Sequence, residues 1–343
     1  MGKKIVMQDI ADRLNISKNS VSQALSGKDG VSEETRRRVI QAAEEMGYTY
    51  KKKKTPNRHK QETRTIGLIA SERTFSLKTF FGEIYLSIER EAQRHGTRLV
   101  IQSITSDDCE QLTMPGFVQD KSVDGVLILS NISTPYINRV ISEGIPVVLI
   151  DHHHPAIEAD AILTNNRFGA YNAVRHLLEC HHRNIAIIGN VSVSPSYQER
   201  WEGYLLAMRD YGIEPQRELM FLDVMEDEQS VEQVLGSLKE MPDAWFCLND
   251  GFSFIVLSLL KKQGYRVPED VSICGFDNSI YSQVSDPKIT TMAIDLNLFA
   301  HKALTQLMWR IEHPREACFE TLLPTKLIKR ESTAPSSRHI HKR

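Results

Sequence analysis

From Thr65 onwards, short apolar runs alternate with longer amphipathic segments, and this alternation constrains the fold more than any other feature of the sequence. Runs such as TIGLIA, VDGVLILS, IPVVLID and VSICGF are almost continuously apolar, which is typical of strands buried on both faces of a parallel sheet. The segments between them, such as FFGEIYLSIEREAQRHG, have helical periodicity. Strands that alternate with helices build βαβ units, so about nine such runs predict an α/β core of two doubly wound parallel-sheet lobes.

The first 50 residues have a different pattern, which predicts three short helices. Apolar residues recur at helical spacing from Met7 to Leu14. Ser17 is placed to cap a second helix, and Ser32 a third, because a serine hydroxyl accepts from the exposed N–H groups of a first helical turn. Two short helices joined by a tight turn predict an all-α helix-turn-helix headpiece.

The charge is distributed unevenly along the chain. Residues 1–64 contain fifteen basic and eight acidic residues, a net charge of +7, whereas the remainder has a net charge of −9. Residues 51–64, KKKKTPNRHKQETR, contain no aliphatic or aromatic side chain and cannot build a core, so we predict a basic linker there. A basic N-terminal part on an acidic body indicates a polyanionic partner for the N-terminal part, although a solvated tail has the same composition.

The second helix of a helix-turn-helix enters the major groove with its N-terminal residues near the base edges. Lys donates to guanine and Asn or Gln pairs with adenine, whereas Ser suits phosphate contacts. The alternative is a small helical bundle whose polar face is merely solvated. We predict that the DNA-binding residues are Ser17, Lys18, Asn19, Ser20, Ser22, Gln23, Ser32, Lys51, Lys52, Lys53 and Lys54.

Polar side chains follow several of the apolar runs in the core. Asp151 ends IPVVLID, Asn249 follows WFCL and Asp277 follows SICGF. Ligands of doubly wound lobes bind outside the carboxyl ends of the strands. Asp and Asn there can accept hydrogen bonds from sugar hydroxyls, and Arg200 can donate a forked pair. The alternative is that strand-end Asp and Asn residues only cap the next helix or turn.

The segment QDIADRLNISKNSVSQALSGKDGVSEETRRRVIQAAEEMGY resembles the headpiece of LacI/GalR-type repressors. Further segments resemble the family in the same order to about residue 333, including GIPVVLID, QERWEGYLLAMRDYGI, YRVPEDVSICGFDN and LPTKLIKREST. The resemblance implies a periplasmic-binding-protein-like core, a homodimer on a roughly palindromic double-stranded operator, and a small effector between the lobes. The implied effector contacts, together with Asp151, are Phe80, Phe81, Ser196, Arg200, Asn249 and Asp277.

The sequence departs from the family at four places. Val6 stands where the family has a capping Thr, and Gln23 stands where it has Arg. Residues 51–64 contain no Leu, whereas the family's hinge helix uses a Leu as a minor-groove wedge, which requires an apolar side chain. No aromatic residue stands near Val224, where the family often has one that stacks on the effector.

These patterns together predict the domain organisation. We expect a headpiece at 1–50, a linker at 51–64, a core at 65–333 and a tail at 334–343. Within the core we expect one lobe from 65–163 and 292–322 and the other from 164–291 and 323–333.

We predict a cytoplasmic transcription regulator, a repressor controlled by a sugar or sugar derivative. We expect no enzymatic activity, cofactor or membrane contact, since the usual catalytic motifs and a long apolar run are missing from the sequence. We also expect no metal site, because the adjacent residues His152, His153 and His154 would point in alternate directions. Three alternatives remain: control by a protein partner, a sugar-binding protein without regulatory role, and an enzyme.

Overall fold

The computed structural model describes residues 5–26, 30–48, 64–72, 80–129 and 132–336. The chain divides into two compact units, residues 1–62 and residues 63–343. None of the described helices combines the length and the apolar character that a membrane span requires.

The described part of the first unit contains three helices packed around one small core. Ile10, Val21 and Val39 are completely buried and hold the helices together. Asn15 ends the first helix in the left-handed conformation, φ 53°, which short polar residues tolerate best. The helices are α1 (Met7–Leu14), α2 (Lys18–Ser26) and α3 (Glu33–Glu45).

Lobe 1 of the second unit is built on a sheet of six strands in the order β11-β5-β4-β3-β1-β2, all parallel. Its strands are β1 (Thr65–Ser71), β2 (Arg98–Ile104), β3 (Gly125–Leu129), β4 (Val147–Ile150), β5 (Asp160–Thr164) and β11 (Glu320–Leu323). Its helices are α4 (Phe80–Arg94), α5 (Ser106–Gln111), α6 (Gly116–Gln119), α7 (Thr134–Ser142) and α13 (Leu296–Glu312).

Lobe 2 has a second six-stranded sheet, in the order β12-β10-β9-β8-β6-β7. Its edge strand β12 runs antiparallel to β10, a departure from the parallel sheet that we predicted. The strands are β6 (Ile185–Ile188), β7 (Met220–Phe221), β8 (Ala244–Cys247), β9 (Ser272–Asp277), β10 (Thr290–Ile294) and β12 (Thr325–Ile328). The helices are α8 (Asn166–Glu179), α9 (Pro195–Asp210), α10 (Glu228–Ser237), α11 (Asp250–Lys262) and α12 (Ile280–Val284).

The chain passes between the two sheets after β5, after β10 and between β11 and β12. The boundary that we predicted at about residue 292 lies inside β10, whose residues to Ile294 still pair in the lobe 2 sheet. The chain therefore leaves lobe 2 just after this strand. The sequence could not show this, because an apolar run indicates where a strand lies but not which sheet it joins.

Candidate functional site

The N-terminus of α2 presents polar side chains to solvent. Ser17 caps the helix as predicted, since its Oγ accepts from the backbone N–H of Ser20 at 3.0 Å. Lys18 and Asn19 are exposed, whereas Val21 is buried in the core. This arrangement leaves the first turn of α2 accessible to base edges and phosphates, as groove binding requires.

Gln23 is less exposed to solvent than Lys18 and Asn19. Its side chain is partly buried, and a Cβ at Gly30 would stand 3.1 Å from its amide oxygen. Ser22 is also partly buried. The Arg36 guanidinium of α3 donates to the Ala24 carbonyl at 3.3 Å, which fixes α3 against the end of α2.

Two helix starts in the headpiece are capped in different ways. Ser32 caps α3, as predicted, by accepting from the Thr35 N–H at 3.2 Å. Val6 cannot cap α1 with its side chain, but its own N–H donates to the Asp9 carboxylate at 2.7 Å. Asp9 therefore makes one of the two hydrogen bonds of a capping box. The other, from a backbone N–H of the first turn to a side chain at position 6, cannot form because Val6 has no acceptor.

Some of the predicted binding residues lie outside the described part of the structure. The basic residues Lys51, Lys52, Lys53 and Lys54 are outside the described ranges, as are the side chains of Phe80 and Phe81. Their roles stay predictions from the sequence.

Arg200 joins three strand or helix ends in lobe 2. It is only 2% exposed on α9, and its Nη1 donates to the Leu248 carbonyl just after β8 at 2.6 Å. Its Nε donates to Asn166 Oδ1 at 2.9 Å, and its Nη2 forms an ion pair with Asp277 Oδ1 at 3.0 Å. The guanidinium also lies 3.7 Å from the centre of the Phe276 ring. A planar, always charged fork suits such a junction, which a Lys could not reproduce.

A glycine allows Arg200 to reach this position. A Cβ at Gly203 would lie 2.1 Å from the carbonyl oxygen of Arg167, so only Gly permits the close packing of α9 on α8. Asp277 itself has φ 102°, and burial raises the pKa of its carboxyl group while Arg200 opposes that effect.

Asn249 combines the predicted contact role with the helix-capping alternative. Its Oδ1 accepts from the N–H of Phe252 at 2.8 Å and caps α11. Its Nδ2 donates to Tyr197 Oη at 2.6 Å and to Glu226 Oε2 at 2.7 Å. The two ends of one amide therefore connect the helix start to a polar cluster.

Asp151 directly follows β4 of lobe 1 and lies within electrostatic range of lobe 2. Burial raises its pKa to about 7, an effect that the Arg200 charge partly offsets and that Asp277 reinforces. Ser196 is buried at the start of α9, and its Oγ lies 2.6 Å from Ser194 Oγ. The structure thus gathers Asp151, Arg200, Asn249 and Asp277 around one interlobe region.

His153 joins the lobes through a contact that no sequence pattern predicted. Its Nε2 lies 2.9 Å from Glu199 Oε1 on α9, and its Nδ1 lies 3.0 Å from Glu320 Oε1 on β11. The hydrogen bond to Glu199 and the second one to Glu320 raise the pKa of His153 to about 9. The neighbouring His152 is buried, and neither of its ring nitrogens has a hydrogen-bond partner among the described residues.

Comparison with known proteins identifies the family. The family model of bacterial regulatory proteins, lacI family, matches residues 6–50, and a periplasmic binding protein-like domain matches residues 174–333. The HTH-type transcriptional repressor CytR of Escherichia coli (strain K12) is 31% identical over 331 residues, which cover 95% of this chain and 96% of CytR. The chain belongs to the LacI family.

Other LacI-family proteins match over similar lengths. The HTH-type transcriptional regulator DegA of Bacillus subtilis (strain 168) is 28% identical over 97% of this chain and 99% of its own. The structure of the transcriptional regulator CelR–cellobiose complex has a TM-score of 0.71 and 27% identity, covering 96% of this chain and 99% of that one. A LacI-family regulator from Enterococcus faecium with bound ribose has a TM-score of 0.67 and 28% identity, covering 79% and 99%. This LacI-family chain is therefore a DNA-binding transcription regulator with the two-lobed core that the sequence predicted.

Proposed function

We propose that this regulator is a repressor whose affinity for its operator is set by a small effector held between the two lobes. The observation that carries the proposal is the Arg200 junction. It holds Asp277 and the end of β8 in fixed positions, with Asp151 of lobe 1 nearby. An effector that bridges Asp151 and this junction would stabilise one relative arrangement of the lobes, which is the condition for control of a separate DNA-binding unit.

The polar groups of this region favour a sugar or sugar derivative as the effector. Carboxylates accept from hydroxyl groups, and Arg200 and Asn249 donate to ring or hydroxyl oxygens. The relatives described above include one solved with cellobiose and one with ribose. Neither Val224 nor Met225 is aromatic, so this segment supplies no stacking platform for a flat ligand face. A polyhydroxylated ligand without an aromatic base fits this composition best.

We also propose that the repressor acts as a homodimer on a roughly palindromic operator in the cytoplasm. Lobe 2 has an exposed apolar surface formed by Phe254 on α11 and by Ile280, Tyr281 and Val284 on α12. The Phe254 and Tyr281 rings are 5.4 Å apart, so the surface is continuous. A two-fold axis through such a patch buries it against itself, as a symmetric interface requires.

The test of effector control is a thermal-unfolding screen of the full-length protein against a panel of monosaccharides, disaccharides and nucleosides. A ligand of the native state stabilises it by RT ln(1 + c/Kd), where c is the free ligand concentration, and so raises the melting temperature as its concentration exceeds its Kd. The expected result is stabilisation by a sugar that also changes operator affinity. If no small molecule in the panel stabilises the protein while a cellular protein partner alters operator binding, the small-effector proposal is wrong.

A further inference from the structure

Lobe 1 contains a group of metal-ligand side chains where α4 and α13 pack side by side. Glu91 lies on α4 and His95 follows one helical turn later, so both project from the same face. His301 comes from α13. Glu91 Oε1 is 3.1 Å from His95 Nε2 and 2.8 Å from His301 Nδ1, so three possible donor atoms from two helices converge.

The spacing of these atoms suits a transition-metal ion. Zn²⁺ binds imidazole nitrogen and carboxylate oxygen at about 2.0–2.2 Å, which places the ligands of a tetrahedral site about 3.3 Å apart. The observed separations to Glu91 Oε1 are a few tenths of an ångström shorter and need only small side-chain rotations to admit an ion. Both imidazoles can coordinate as neutral rings once their remaining protons move to the other ring nitrogen.

The surroundings of the three side chains allow an ion to enter. The Glu91 side chain is 8% exposed, whereas those of His95 and His301 are 47% and 49% exposed. The Arg94 guanidinium lies 3.1 Å from the other carboxylate oxygen of Glu91, Oε2, and leaves Oε1 to the two histidines.

We propose that Glu91, His95 and His301 form a binding site for a divalent transition-metal ion, best suited to Zn²⁺, that joins α4 to α13. Three protein ligands leave a coordination position for water on the exposed side. The site lies apart from the Arg200 junction, so it does not depend on the effector proposal. No sequence pattern indicated this site, because Glu91 and His301 are far apart in the chain and only the packing of the two helices brings them together.

The experiment is a Zn²⁺ titration of the full-length protein by calorimetry, with His95→Gln and His301→Gln as test variants. The chain has twelve histidines, so the informative quantity is the difference between variants. His313→Gln is the matched control, because His313 follows the same helix α13 and contacts Trp309 instead. Removing a hydrogen-bond partner of a metal ligand weakens metal affinity by about 10–100-fold. Loss of the ligand itself should weaken Zn²⁺ affinity by at least that factor.

The expected result is one tight equivalent of Zn²⁺ in the wild type and in His313→Gln that is lost in both test variants. Zn²⁺ should also raise the melting temperature of the wild type and the control but not of the test variants. Co²⁺ added to the wild type should give visible absorption typical of nitrogen coordination, and His301→Gln should remove this absorption. Equal Zn²⁺ stoichiometry in all four proteins would overturn the proposal. So would Co²⁺ absorption that is absent from the wild type or unchanged in His301→Gln.

Discussion

Asn249 and Arg200 each serve the fold and the candidate site with the same side chain. Asn249 caps α11 through its oxygen and reaches Tyr197 through its nitrogen. Arg200 donates to the Leu248 carbonyl and is paired with Asp277. An effector can therefore engage these residues only by sharing or exchanging existing contacts, so ligand binding and the local structure are coupled.

Arg200→Ala is expected to remove the effector response. The substitution leaves Asp277 buried without its positive partner, which costs about 3–5 kcal/mol of stability when one side of a buried pair is removed. Arg310→Ala is the matched control, since Arg310 is paired with buried Asp160 in lobe 1 at 2.7 Å. Both variants should unfold more easily, measured by urea denaturation. Only Arg200→Ala should lose effector-dependent operator binding, and a normal response in that variant would remove Arg200 from the site.

The His153 contact predicts a pH dependence of stability. Its folded pKa of about 9 lies above the ordinary value of about 6.5. Its contribution is therefore fully present below about pH 6.5 and is lost as the pH rises through about 9. Unfolding free energies of the wild type and His153→Gln should differ by about 1–3 kcal/mol at pH 6 and converge near pH 10. A difference that does not change with pH would show that the histidine acts only by packing.

At the scale of elements, α9 contributes most to the interlobe region. Glu199 reaches His153 of lobe 1, and Arg200 reaches the ends of β8 and β9. Consecutive residues of a helix point about 100° apart, so one helix can address both lobes at once. The headpiece shows the same principle, because α2 has an exposed face with Lys18 and Asn19 and a buried face with Val21.

Replacing Gln23 of α2 and replacing Ser32 at the start of α3 by Ala should have different effects on DNA binding. Gln23→Ala should cost about 1–3 kcal/mol at the operator and relax the base preference at one position. Ser32→Ala removes a cap worth about 0.5–2 kcal/mol to the headpiece and should weaken binding to all sequences alike. Selection of bound DNA from a random pool measures both effects. The same loss on specific and random DNA for Gln23→Ala would contradict base reading.

The linker prediction rests on sequence alone. Replacing Lys51, Lys52, Lys53 and Lys54 with Ala should flatten the dependence of log affinity on log salt by about 2–4 units, because each phosphate contact releases a condensed counterion. Preference among DNA sequences should change little. Salt titration of operator binding measures the slope, and energy transfer between DNA ends measures bending. An unchanged slope, or a sharp central kink in the wild-type complex, would contradict a purely electrostatic linker.

At the scale of the whole molecule, the apolar surface of lobe 2 determines the expected assembly. Val284, 64% exposed on α12, should be buried in the homodimer, so Val284→Glu introduces two like charges across the two-fold axis. Leu322→Glu is the matched control, since Leu322 is 54% exposed but lies on β11 in lobe 1. Sedimentation should show monomers for Val284→Glu alone, together with weaker operator binding. If neither variant is monomeric, the dimer interface lies elsewhere.

The sequence by itself determined the architecture of this protein. Apolar runs and their helical intervals predicted two doubly wound lobes, and the serine caps predicted α2 and α3. These features follow from local periodicity and hydrogen-bonding chemistry, which residues close in sequence carry. The positions of Asp151, Asn249 and Asp277 at or just after strand ends were also predictable, because each follows an apolar run. Their role in effector binding stays a prediction.

The tertiary structure alone decided which distant segments of the chain come into contact. The antiparallel direction of β12, the exit of the chain after β10, the His153 contact with Glu199 and the convergence of Glu91 with His301 have no local signature. Each depends on segments far apart in the chain whose relative placement is set by packing of whole sheets and helices. Side chains such as these acquire partners only when the core is formed, so no pattern within a single segment could have shown them.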